Sequence, residues 1–208
     1  MRKILSCVLS VFVSLAAFAS GTEWQFGFTM PFQSGAWNSE DGMGSFTAVG
    51  YGGEVDFIHT TDFGLAWKMF AGGSGVATQS VVKDSGGASF LGGIGFGGKI
   101  VDSEKLTVFL TGDLGFNYTD VGYYKKDVDG IKTTDELTLY NFVVGPTISA
   151  TYHLASHFGV FAAGSLYYTI GSSDYENKIF DSDEPSVNYS ANYAGLLFQP
   201  RVGISISY

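Results

Sequence analysis

Thr22-Glu23-Trp24-Gln25-Phe26-Gly27-Phe28-Thr29-Met30-Pro31-Phe32 alternates residue by residue. In an extended chain successive side chains point to opposite sides, so Trp24, Phe26, Phe28, Met30 and Phe32 share one face while Gln25, Gly27 and Thr29 share the other. A helix would scatter the same residues around its axis. The stretch predicts a strand with one strongly apolar face.

Counting apolar residues at every second position finds seven more such segments: 45–58, 63–73, 88–100, 106–118, 139–152, 158–170 and 191–208. Their in-phase residues include Val55 and Phe57, Trp67 and Met69, Ile94 and Phe96, Leu114 and Phe116, Phe142 and Val144, Leu166 and Tyr168, and Val202 and Ile204. Each has about the length of a tilted membrane strand, and eight is an even number that closes antiparallel. The connections alternate too. Short ones at 59–62, 101–105 and 153–157 are interleaved with long ones at 33–44, 74–87, 119–138 and 171–190. Short periplasmic turns and longer extracellular loops are the pattern of an up-and-down membrane barrel. The fold class read from the sequence is all-β: an eight-stranded antiparallel up-and-down transmembrane β-barrel.

Glycine is frequent at 29 residues and proline scarce at 4, which favours strands over helices once alternation is present. Met1-Arg2-Lys3 precedes an apolar run ending in Ala17-Phe18-Ala19, which reads as a secretory signal peptide cleaved after Ala19. Residues 1–19 are thus the expected leader and 20–208 the barrel domain. Cys7, the single cysteine, lies in the leader, so the mature chain has no thiol. Without Arg2 and Lys3, 9 basic residues face 20 acidic ones, a net charge near −11. That balance argues against nucleic acid as a partner, since phosphate binding draws on clustered Lys and Arg.

Alternation alone does not say which face is wet. A soluble barrel would turn its apolar set inward and a charged set outward. Here the second face is mostly Gly, Ser, Thr and Ala, and in the strand cores its charges are Glu54, Asp56, Lys68, Lys99, Asp113 and Arg201. Three acids and three bases fit a narrow lumen, because an unpaired buried charge costs several kcal/mol. Small residues beside Phe70, Leu91, Phe161 and Tyr167 relieve crowding in an interior only wide enough for side chains. A tight hairpin at 59–62 sets Lys68 opposite or near Glu54, so these two are expected to pair and the other four to extend the network.

The chain finishes Val202-Gly203-Ile204-Ser205-Ile206-Ser207-Tyr208, strictly alternating and aromatic at the end. With the leader and the strand count, this resembles the small eight-stranded outer membrane proteins, the class of the OmpA membrane domain, OmpX and the OmpW-like proteins. The resemblance covers the whole mature chain and is one of architecture. It implies an outer membrane location in contact with lipid. It also implies that the barrel assembly machinery reads Val202, Ile204, Ile206 and Tyr208 as a C-terminal signal, although Tyr208 stands where that class most often has Phe.

No catalytic, cofactor or metal site is expected. Gly93-x-Gly95-x-x-Gly98 matches a dinucleotide fingerprint in form but lies inside a strand, where it reads as lumenal packing. His59, His153 and His157 fall in expected periplasmic turns, away from the outer side where a lipid-modifying enzyme would need them. Carboxylates gather in the long loops: Glu40, Asp41, Asp120, Asp127, Asp129, Asp135, Glu136, Asp174, Glu176, Asp181, Asp183 and Glu184. Solvated loop charges explain them better than a Ca²⁺ site does. Tyr123, Tyr124, Tyr175, Ile179 and Phe180 among them could form a contact surface for an unidentified ligand. The expected role is structural or surface-interacting, with four extracellular loops on a mostly filled barrel. The alternative is an OmpW-like channel for small or hydrophobic solutes.

Overall fold

The computed structural model describes residues 19–39, 42–78, 86–128, 131–179 and 187–208. Its strands are β1 (Ala19–Thr29), β2 (Phe32–Ser39), β3 (Gly42–Thr61), β4 (Leu65–Thr78), β5 (Gly86–Asp102), β6 (Leu106–Val128), β7 (Ile131–Ala155), β8 (Phe158–Ile179) and β9 (Val187–Ser207). The nine segments make eight staves. β1 and β2 both pair with β3 on one side and β9 on the other, and the register is the same on either side of Met30 and Pro31. The interruption is chemical: Pro31 has no N–H to give. Ladder bonds still flank it, with Met30 N donating to Pro200 O at 3.2 Å and Gly50 N to Pro31 O at 2.8 Å.

All pairings between neighbouring staves are antiparallel, and β1 against β9, with Phe26 opposite Ile204, closes the ring. The large apolar residues that alternate along each stave face outward. Phe28 is 52% exposed and Phe142 73% exposed, and aromatic and aliphatic residues are exposed in the same phase on every stave. Soluble monomers rarely carry a contiguous apolar patch beyond a few hundred Å². The surroundings that suit this surface are hydrocarbon.

The staves run further than the alternation count showed. Much of the expected long loops at 33–44, 119–138 and 171–190 is ladder: β2 reaches Ser39, β6 and β7 pair as far as Val128 with Ile131, and β8 pairs with β9 as far as Asn177 with Val187. The inward phase continues into these extensions. Phe46, Ala48, Val76, Val121, Leu137, Leu139 and Tyr193 form a buried cluster with Trp37 and Tyr175 against it. Asp120, Glu136 and Asp174 occupy the alternate, outward positions, and their charge made these stretches read as loops. Tyr175, expected on a contact surface, packs against that cluster instead. The side chains of Tyr123, Tyr124, Ile179, Phe180, Glu40, Asp41, Asp127, Asp129, Asp135, Asp181, Asp183 and Glu184 lie outside the described residues, as do residues 1–18 of the expected leader; Ala19, its expected last residue, opens β1.

At the end of the barrel where the short, periplasmic turns were expected, the first turn falls at Asp62, Phe63 and Gly64, so Phe63 belongs to the turn and not to the strand. Gly64 has φ of 83°, a left-handed conformation that glycine adopts without steric cost. His59 lies within β3 and His153 within β7; only His157 sits in a turn, because the strands continue past the points where turns were expected.

Glycine shapes the inner wall. Phe161 lies over two of them: a Cβ on Gly27 would come within 2.8 Å of its Cζ, and one on Gly203 within 2.9 Å of its Cε1 while also striking the carbonyl oxygen of Phe26. Gly53, facing outward, has nothing closer than 3.7 Å to such an atom. Gly203→Ala is therefore expected to cost about 1–3 kcal/mol through overpacking against backbone. Gly53→Ala is expected to be neutral or to stabilise by up to about 1 kcal/mol. Urea unfolding followed by heat-modifiable gel mobility compares the two; equal effects would count against this packing.

Candidate functional site: the lumenal charge network

β4, β5 and β6 are aligned so that Lys68 stands opposite Gly95 and Gly95 opposite Asp113. A side chain on Gly95 would collide with the Asp113 carboxylate. Glycine there lets Lys68 reach across one whole strand to Asp113, with Nζ to Oδ2 at 2.5 Å and both side chains buried. Lys68 is aligned with Ile58 on β3, not with Glu54, so the expected pair of Lys68 with Glu54 gives way to one that skips a strand. Lys68 Nζ also lies 4.7 Å from the ring centre of Phe70, a cation–π contact.

Asp113 takes three further hydrogen bonds. Thr111 Oγ1 donates to Oδ1 at 2.7 Å, and Thr147 Oγ1 and Tyr167 OH donate to Oδ2 at 2.6 and 2.9 Å. Arg201, on β9, forms the second charged group. Its Nη1 donates to Glu54 and, at 2.7 Å, to Asp56, while Gln199 Nε2 donates to the other oxygen of Glu54 at 2.6 Å. The two groups are joined. Arg201 Nη2 donates to Ser165 Oγ at 3.2 Å, and Ser165 lies 2.6 Å from Thr147. Thr147 has one hydroxyl proton and gives it to Asp113, so Ser165 must be the donor in the Ser165–Thr147 bond. The protons thus run in one direction, from Arg201 through Ser165 and Thr147 to Asp113.

Five of the six sequence-selected charged residues, Glu54, Asp56, Lys68, Asp113 and Arg201, meet in this network. Lys99 does not. It pairs with Asp102 at 3.2 Å on the partly exposed rim at the short-turn end. Sequence reading placed Tyr167 in the lumen as bulk alone and missed the neutral partners Thr147, Ser165 and Gln199. A lone inward Thr or Ser carries no signal until the register sets it beside a charge.

Above and below, the lumen is packed. Phe70 and Tyr167 stack at 6.2 Å between ring centres within a cluster that adds Leu91, Val143 and Leu197. Toward the short-turn end, Glu23 Oε1 accepts from Gln25 Nε2 at 2.9 Å and from Thr151 Oγ1 at 2.7 Å, a crossing from β1 to β7. The void between the charged layer and the outer apolar cluster, lined by Gln33, Asn117, Leu197 and Gln199, measures about 20 Å³. A single water needs about 10–15 Å³ by the same measure. A wider cavity of about 470 Å³ lies at the short-turn mouth of the barrel, between Glu23, Lys99, Glu104, Lys105 and His153.

The network holds ion pairs and hydroxyl donors, and the described histidines are all toward the short-turn end. His59 bonds Thr22 Oγ1 at 3.1 Å, His153 bonds Thr107 Oγ1 at 2.9 Å, and His157 Nδ1 lies 2.9 Å from Ser207 O. Among the described residues no three His, Cys, Asp or Glu side chains are placed to hold a metal ion.

Removing one member of a buried pair leaves the other charge uncompensated. Lys68→Met is expected to lower stability by about 3–5 kcal/mol, and Lys68→Met combined with Asp113→Asn to recover most of the loss. Urea midpoints of the three proteins test this. A double variant no more stable than the single one would remove the basis for treating Lys68 and Asp113 as a unit.

Neither a protein-family model nor a curated protein matches the chain. Solved structures do. A major outer membrane protein from Thermus thermophilus superposes with a TM-score of 0.59 at 10% identity, over 87% of this chain and 99% of that one. Ail, the attachment invasion locus protein of Yersinia pestis, and the outer membrane protein AlkL overlap 90% of this chain each, and 98% and 90% of their own, at TM-scores of 0.47 and 0.49 and identities of 8% and 10%. With its ring of eight antiparallel staves and outward apolar face, this chain has the fold of a small outer membrane β-barrel.

Proposed function

We propose that this protein resides in the outer membrane as a closed anchor, and that its role is structural or surface-interacting, carried by the rim of long staves and by the four loops joining them. The observation behind this reading is the filled lumen. A conducting path must pass the Phe46–Tyr193 cluster, the Phe70–Tyr167 stack and the Arg201 and Lys68 ion pairs in series. The void lined by Gln33, Asn117, Leu197 and Gln199, which lies on that path, measures about 20 Å³. Opening such a path would break buried ion pairs, each costing several kcal/mol when separated.

The location is supported by the apolar band and by the outer membrane protein from Thermus that shares the fold. Export by residues 1–19 and recognition of the final strand by the assembly machinery belong to the same proposal. Val202 and Ile204 project from the outer face of β9, where a partner reading that strand would meet them. The rim is the other half of the argument. Its inward residues form a core of their own, which holds the extended ladder rigid and gives the loops fixed starting points.

Planar bilayers distinguish the anchor from a solute channel. The purified barrel, shown to be folded by heat-modifiable mobility, is expected to give no discrete conductance steps. Reproducible steps of one size would replace the anchor with the channel for small solutes.

A further inference from the structure

Glu23 is buried, at 6% exposed, yet no counter-charge meets it. Among the described residues Lys68 holds Asp113, Arg201 holds Glu54 and Asp56, and Lys99 holds Asp102, and no basic side chain lies within ion-pair distance of Glu23. A carboxylate taken from water without a cation is costly unless its oxygens find donors. Only one of them does. Ser149 Oγ donates to Gln25 Oε1 at 3.1 Å, which orients the amide so that Gln25 Nε2 donates to Glu23 Oε1 at 2.9 Å, and Thr151 Oγ1 donates to the same oxygen at 2.7 Å. The other oxygen, Oε2, accepts no hydrogen bond among the described residues and is not one of the sealed polar atoms, so it opens into the cavity at the short-turn mouth that Glu23 lines.

That cavity is a bowl of about 470 Å³. Ligand sites usually span about 300–1,000 Å³. Thr60, Thr107 and Phe109, buried like Glu23, share its lining, and Leu154 and Ala155 give it an apolar side. Asp102 and Glu104 balance Lys99 and Lys105 around it, so with His153 neutral the charge left over is that of Glu23. The bowl therefore offers a held, uncompensated carboxylate oxygen with hydroxyls and apolar surface beside it.

We infer that this bowl binds a small primary ammonium compound, its nitrogen on Glu23 Oε2 and its carbon chain against Phe109 and Leu154. The geometry selects among cations. A guanidinium fork takes both oxygens of a carboxylate at once, and here Oε1 is already filled by Gln25 and Thr151. Ca²⁺ takes about six to eight oxygen ligands, whereas among the described residues no three His, Cys, Asp or Glu side chains gather. An ammonium is a compact charge with three donors, which one carboxylate oxygen and neighbouring hydroxyls can meet. If the short turns face inward, as the proposed outer membrane location implies, the bowl opens to the periplasm. Binding itself does not depend on that orientation.

Saturation-transfer NMR of the full chain folded in detergent micelles, titrated with n-propylammonium at constant ionic strength, tests the inference. Wild type is expected to bind it saturably, and more tightly than n-propylguanidinium or 1-propanol. Glu23→Gln keeps an oxygen for Gln25 and Thr151 but removes the charge, and is expected to weaken binding about tenfold. Glu104→Gln, on the exposed rim, is expected to change it less than about twofold. No saturable binding by wild type overturns the site, as does equal affinity in Glu23→Gln or an equal loss in Glu104→Gln. n-Propylguanidinium or 1-propanol binding wild type as tightly as n-propylammonium also overturns it, and this comparison stays decisive if Glu23→Gln fails to fold. Heat-modifiable mobility of the same samples reports folding separately.

Discussion

Closure of the backbone ladder is the constraint on which the rest of this molecule depends. In hydrocarbon no water satisfies an orphan N–H or C=O, and each unsatisfied group costs several kcal/mol. The β1–β9 pairing, from Glu23 with Ser207 to Thr29 with Arg201, leaves the barrel no open edge there. Prolines are tolerated in the wall only where the ladder can lose a donor. At Pro31 the neighbouring bonds of Met30 and Gly50 hold the register. At Pro146 the β7–β8 pairing lapses for two residues and resumes with Thr147 opposite Ser165. That resumption matters, because Thr147 and Ser165 are the pair that joins the two charged groups in the lumen.

Closing eight staves leaves an interior that side chains must fill, and polar groups in it must find one another. The lumen answers with layers. Apolar clusters alternate with polar ones, and large inward rings lie over inward glycines, as Phe161 does over Gly27 and Gly203 and Tyr193 over Gly35. Gly95 serves the charges as Gly203 serves the rings. A residue with no side chain makes possible the bond between its two neighbours, and substitution there would act on the Lys68–Asp113 pair without touching either member.

The architecture was legible because its signal is local. Alternation of period two is set by the pleat, and it shows in Trp24 to Phe32 without any knowledge of partners. The identity of the wet face was also legible, from the scarcity of charges in the second phase. Register was not. Lys68 was assigned to Glu54 on the assumption that charges pair with the adjacent strand, but its partner lies on β6 beyond Gly95, at a distance set by barrel curvature. Strand ends were misread for a related reason. Asp120, Glu136 and Asp174 are charged because they face outward at the rim, while Val121, Leu137 and Leu139 keep the inward phase, and charge density masked that phase.

These two misreadings share a cause that bears on function. Membrane strands are recognised by their outward residues, whereas a lumen is built by inward ones drawn from staves distant in sequence. Glu54 and Arg201 are 147 residues apart and Lys68 and Asp113 are 45 apart, yet hydroxyls of Ser165 and Thr147 make them one network. A barrel in which both charged groups are linked through single hydroxyl protons, all oriented toward Asp113, has a preferred arrangement of its interior. Separating any one pair would leave donors or charges unmet elsewhere in the chain. The packing of the lumen therefore holds the staves in place, and on the proposed reading as a closed anchor the surfaces left free to evolve a role are the rim, the loops and the outward apolar wall.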